Sequence, residues 1–143
     1  MKPLLIGLFG VLACGQAPAQ AASGFAAVDA RLKACVDRDS SNADQEACLS
    51  VVQPIVDARL NSVYQAWTQE LRHSKPLDAK DDVEVLKRLV TAERTWITFR
   101  DEECNLQSTS ALNGTSESVV FSDCRYAMTK ARVEALESYR SAR

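Results

Sequence analysis

Glycine is nearly missing from the body of this 143-residue chain: of five glycines, only Gly114 falls inside the periodic part of the sequence. Runs of β-branched residues are sparse too, so a strand-and-turn architecture has little to build on, and the long charged segments with apolar spacing of three and four read as helices. Histidine occurs once, as His73. A lone histidine beside Ser74 and Lys75, with no second group to orient it, is a poor general base; at a predicted helix end it reads as a C-terminal cap meeting the helix dipole. Basic excess is lacking as well: the formal charge is −2, which argues against a nucleic-acid partner. The one long apolar run, Leu4 to Ala13, is shorter than the roughly 20 residues that cross a bilayer. Close cysteine pairs are also missing. Spacings of 13, 56 and 20 residues between Cys35, Cys48, Cys104 and Cys124 do not make a zinc site, and no metal, cofactor or catalytic site is expected.

What the N-terminus does have is the pattern of an export signal. Met1-Lys2 gives a positive start, Leu4 to Ala13 an apolar centre, and Ala19-Gln20-Ala21 a small-x-small cleavage site. Residues 1–21 are therefore expected to be a signal peptide, followed by one helical domain over residues 22–143. Periplasmic or secreted placement follows, with an alternative: Val11-Leu12-Ala13-Cys14 resembles a lipobox, so acylation at Cys14 would tie the protein to a membrane. Losing Lys2 takes the charge to −3, a balance that suits a basic partner weakly.

Export carries four cysteines into an oxidising compartment, where an even number in a small domain reads as two disulfides. Their positions follow from the helices. Phe25, Val28, Leu32, Cys35 and Val36 form a first stripe that stops at the polar run Asp37 to Asn42. Asn42 and Gln45 look like a capping box opening a second helix that carries Cys48 in its first turns. Pairing Cys35 with Cys48 closes a short loop, worth about 3 kcal/mol in the chain-entropy account. Pro54 is either a kink in that helix or the first residue of the next. Ile55, Leu60, Val63, Tyr64, Trp67 and Leu71 then recur at helical spacing up to His73-Ser74-Lys75-Pro76.

From Asp78 to about Gln107 one long helix is predicted, carrying Val83, Leu86, Leu89, Val90, Trp96, Ile97, Phe99 and Cys104. The polar stretch 108–118, around Asn113-Gly114, breaks the pattern before a last helix through Val120, Phe121, Cys124, Met128, Ala131, Ala135 and Tyr139. Cys104 and Cys124 bracket that stretch, and a bridge between them would hold two antiparallel helices at one end. The fold expected is an all-α, small antiparallel bundle stapled by two disulfides.

Within the long helix, Trp96, Arg100 and Cys104 are spaced by four, so they share a face that turns inward. A guanidinium there needs a carboxylate, and Asp57 on the preceding helix is the expected partner in a structural ion pair. Trp67 and Trp96 read as core residues. Glu102 and Glu103, adjacent on a helix, point about 100° apart and cannot act as a carboxylate pair on one bond.

Several of these segments together resemble the LprI-like lysozyme-inhibitor N-terminal domain family. They are Asp57-Ala58-Arg59-Leu60-Asn61 with Val63-Tyr64, the block Trp96-Ile97-Thr98-Phe99-Arg100-Asp101-Glu102-Glu103-Cys104, Gly114-Thr115-Ser116, and Cys124 with Thr129 and Arg132. The likeness spans about residues 35–136. Thr115 departs from it, standing where the family more often has a second glycine, which implies a stiffer loop. The resemblance implies an exported bacterial protein and, through the family's label, a lysozyme as partner.

Two functional readings follow. In one, an exported binding protein, no enzyme, blocks a lysozyme through the disulfide-closed loop 108–118, above all through Asn113, Gly114, Thr115 and Ser116. Short hydroxyl and amide side chains there suit a cleft with a carboxylate pair, and a bridge at the loop's base lowers the cost of ordering it. In the other, an envelope-interaction or immunity protein meets a non-lysozyme target through a helical face.

Overall fold

A computed structural model describes residues 24–38, 41–73 and 79–143. The expected signal peptide, with Cys14 and the Ala19 to Ala21 site, lies outside these residues, as do Ser74, Lys75, Pro76 and Asp78. The described residues form four α-helices: α1 (Ala26–Val36), α2 (Asn42–Arg72), α3 (Ala79–Ser108) and α4 (Glu117–Ser141), with a 3-10 turn at Thr109–Ala111 after α3. They contain no strand. None of the helices is long and apolar enough to cross a membrane.

The architecture follows from one stripe. Along α2, Leu49, Val52, Val56, Leu60, Val63, Trp67 and Leu71 recur every three or four residues and are all buried. Tyr126, Val133 and Leu136 of α4 pack with them, as do Leu89 of α3 and Phe25 just before α1. Each fully buried Val or Leu contributes about 1.5–3 kcal/mol. All three other helices contact α2, and α4 does so most extensively.

Pro54 does not divide α2, which continues through it. Ser50, whose carbonyl loses its amide partner, and Pro54 are both exposed on the side away from the stripe, where the interruption is tolerated. The start of α2 corrects the capping-box reading by one residue. Ser41 is the N-cap: its hydroxyl oxygen accepts the Asp44 amide at 3.2 Å, and the hydroxyl donates to the Asp44 carboxylate. Asn42 is thereby released to donate from Nδ2 to Thr115 Oγ1 at 2.8 Å, tying the start of α2 to the turn before α4.

Two disulfides staple the bundle. Cys35 pairs with Cys48 at a Cα separation of 5.8 Å, and Cys104 with Cys124 at 5.5 Å. In α3 the inward face is Leu89, Glu93, Trp96, Arg100 and Cys104, and Val83, Ile97 and Phe99 are exposed instead of packed. At about 100° per residue they fall off that face. Ile55 and Tyr139 are exposed for the same reason.

The short α1 has no fully buried residue of its own and is pinned by polar contacts as well as by Cys35. Asp29 accepts hydrogen bonds from Tyr126 Oη at 2.8 Å and from Lys130 Nζ on α4. Burial works to raise the Asp29 carboxyl, but the Lys130 and Tyr126 hydrogen bonds and the Lys130 charge outweigh it and hold it below its ordinary value of 3.8. Burial, helped by the bond to Asp29, raises the Tyr126 phenol. A carboxyl depressed in the folded state stabilises that state above its unfolded value and loses the contribution as pH falls through the folded one. Asp29→Asn should therefore lower the thermal midpoint at pH 7. The difference between parent and variant should begin to shrink as pH falls below about 4 and vanish only beneath the depressed Asp29 value, as circular dichroism melts across pH 2–7 would show.

Candidate functional site

The end of the bundle closed by Cys104 and Cys124 holds the residues singled out for binding, though the irregular segment is shorter than 108–118. Ser108 Oγ donates back to Asn105 O at 2.8 Å and Thr109 Oγ1 to Leu106 O at 2.7 Å, so these hydroxyls ride along the helix end without breaking it. The chain stays helical to Ala111, α4 starts at Glu117, and only residues 112–116 are left as a turn.

That turn is tightly held. Asn113 is in the left-handed region, with φ 61°, and its amide donates to the Glu117 carboxylate at 3.0 Å. Gly114, the expected turn glycine, has no positive φ; its need is space, because a Cβ would meet Ala111 O at 2.9 Å. Its amide donates to the same oxygen at 2.8 Å. Thr115 is held by Asn42, and Ser116 caps α4 by position with no side-chain cap bond. Asn113, Gly114 and Thr115 are exposed and Ser116 is half-buried. Beside them lies a shallow depression of about 490 Å³, with Asn105, Ser108, Glu117 and Phe121 in its lining.

A second constellation lies inside. Arg100 is buried, its Nη2 2.8 Å and Nε 2.9 Å from Asp101 Oδ1, while Nη1 donates to Thr129 Oγ1 at 3.3 Å. Asp57 Oδ1 is 3.9 Å from Nη1, at the outer limit of an ion pair, and also accepts from Gln53 Nε2 at 2.9 Å. The near carboxylate is Asp101, part of the block that carries the family resemblance, and not the expected Asp57; its position next to the arginine gives no periodic signal of the contact. Trp96 has the Arg100 guanidinium 5.2 Å and the Arg132 guanidinium 5.5 Å from its ring centroid. Arg132 in turn is bound to the buried Glu93, with Nε and Nη2 each 2.9 Å from Oε2. Trp96, Arg100, Asp101, Thr129 and Arg132, which carry much of the family resemblance, thus form a polar layer between α3 and α4 that is buried at Arg100 and Thr129 and reaches water at Asp101.

His73 closes α2, its Nδ1 2.8 Å from Gln69 O at the far end of that helix, which requires the Nδ1–H form to donate. Glu103 accepts from Gln107 Nε2 at 3.0 Å, while Glu102 is exposed. Neither the histidine nor these carboxylates face a shared cleft.

The sequence profile described as "Lysozyme inhibitor LprI" matches residues 35–136. The chain belongs to the LprI lysozyme-inhibitor family. A relative within reach of comparison is "Uncharacterized protein YecT" of Escherichia coli (strain K12), 26% identical over 153 residues, covering 99% of this chain and 93% of that protein. No solved structure matches. The profile spans the distance from the first disulfide cysteine to Leu136, so the LprI unit takes in both bridges, the interior arginine layer and the turn.

The interior layer of this LprI domain can be tested by its energetics. Arg100→Met should destabilise by about 3 kcal/mol, the low end for breaking a buried pair, because Asp101 and Asp57 keep access to water. Asp57→Asn should cost under about 1 kcal/mol, since its contact is long and its carboxylate more than a third exposed. Urea unfolding of both variants and their double mutant gives the coupling.

Proposed function

We propose that this protein is an exported inhibitor of a lysozyme and that it acts through the turn at Asn113, Gly114, Thr115 and Ser116. The observation that carries the reading is a short, uncharged, exposed turn presented on a rigid base in a chain of the LprI family. The Cys104–Cys124 bridge, the Asn42 to Thr115 bond and the Glu117 carboxylate on the Asn113 amide hold it before any partner arrives. Preorganisation of that kind reduces the entropy lost on binding. The tip offers hydroxyl and amide groups to the paired carboxylates of a glycosidase cleft, and the nearest carboxylate, Glu117, is taken up by the Asn113 amide. Export places the inhibitor where lysozymes act, either free or held to a membrane through an acylated Cys14.

A second reading has its own observation. Between Ala47 and Gln69 the exposed residues of α2 are uncharged apart from Arg59, which is bound to Glu137, and they include Val51 and Ile55. The outer face of an ordinary surface helix carries charge. An envelope-interaction or immunity protein with a different target would use such a face.

The test is inhibition of cell-wall lysis by the mature protein. Ser116→Glu should abolish it, since a carboxylate at the tip meets the cleft's own carboxylates. The thermal midpoint should hold, because Ser116 makes no side-chain cap bond to lose. If Ser116→Glu inhibits like the parent, the turn is a connector. If the parent inhibits no lysozyme class, the helical-face reading takes its place.

A further inference from the structure

Acidic charge is unevenly distributed over this molecule, and one stretch without a basic residue surrounds the turn. Between Asp101 and Cys124 the chain has Asp101, Glu102, Glu103, Glu117 and Asp123 and no lysine, arginine or histidine. Asp101 is turned to Arg100 and Arg125. The other four form no ion pair among the described residues: Glu103 is bonded only to an amide side chain and Glu117 to a backbone amide, while Glu102 and Asp123 are exposed. The stretch from the end of α3 through the turn to the start of α4 is therefore an unneutralised acidic strip on a chain whose total charge is only −2.

The same stretch leaves large apolar side chains in water. Phe99 is 55% exposed, Leu106 65% and Leu112, in the turn itself, 60%. Phe99 and Leu106 are seven residues apart, so they lie about 20° from one another on the helix and about 10 Å apart along it. Glu102 and Glu103, three and four residues after Phe99, flank the line between them on its two sides. None of these side chains belongs to the buried core.

We infer that Phe99 and Leu106, flanked by Glu102 and Glu103, together with Leu112 in the turn and Glu117 at the start of α4, form a docking surface for a basic protein, here a lysozyme of net positive charge. The inference rests on the lysozyme reading and extends it from the turn onto the outer face of α3. The carboxylates speed encounter with a cationic partner, the apolar ridge is desolvated against it, and the uncharged tip at Asn113 to Ser116 enters the cleft. Charges at the rim govern the association rate and its salt dependence, whereas a buried aromatic anchor governs the dissociation rate.

The test measures inhibition and binding kinetics of the mature protein against one basic and one acidic lysozyme. Phe99→Ser with Leu106→Ser should raise the inhibition constant for the basic enzyme at least about tenfold, mainly through faster dissociation, with an unchanged thermal midpoint because both positions are exposed. Glu102→Lys with Glu103→Lys should slow association and flatten its fall with salt. The acidic lysozyme should be inhibited less well than the basic one. The surface is refuted if the Phe99 and Leu106 variant matches the parent while Ser116→Glu does not, an outcome that leaves the turn reading intact. It is refuted equally by association rates that ignore salt. A parent that neither binds nor inhibits any lysozyme overturns both readings together.

Discussion

The buried seam between α2 and α4 is the constraint on which the rest of this structure depends. Val56, Val133 and Leu136 are essentially inaccessible to solvent, and the stripe from Leu49 to Leu71 gives every other helix a surface to pack on. A helix as short as α1 is marginal by itself in water. It holds because Phe25 enters this core, Cys35 ties its end to α2, and Asp29 reaches α4. The bridges supplement a core that is modest for so small a domain.

Burying charge beside that seam costs free energy, and the arrangement around Trp96 shows how the cost is offset. Arg100 has the adjacent Asp101 and the hydroxyl of Thr129, Arg132 has Glu93, and both guanidinium groups lie near the indole. Such networks bring orientation more than net stability, since apolar replacements of similar volume often serve as well. Here the layer lies between α3 and α4, one turn from the Cys104–Cys124 bridge at the base of the turn.

Rigidity and exposure coincide at the bridged end. The turn is short, its backbone groups are bonded at close range, and its neighbours on α3 present apolar and acidic side chains outward. At the opposite end two charge pairs cross between helices, Arg140 with Glu70 and Arg143 with Asp82. A binding surface at the bridged end fits both the family's inhibitor label and the distribution of unneutralised charge.

Local pattern in the sequence determined the helices, their order, the two local cysteine pairings and the inward turn of Trp96, Arg100 and Cys104, because spacing of three and four fixes which side chains share a face. It did not decide matters that depend on which face finds a partner. Pro54 reads equally as a kink or a start, and only the exposure of its side of α2 makes an unbroken helix acceptable. Ser41 and Asn42 are both good caps, and the choice fell to Ser41 once Thr115 was in reach of Asn42. Ile97 and Phe99 are as apolar as Leu89, yet only packing against α2 and α4 determined that Leu89 goes in and they stay out. Asp101 came closer to Arg100 than Asp57 did, since side-chain direction in the packed bundle settles such a contact and chain spacing does not.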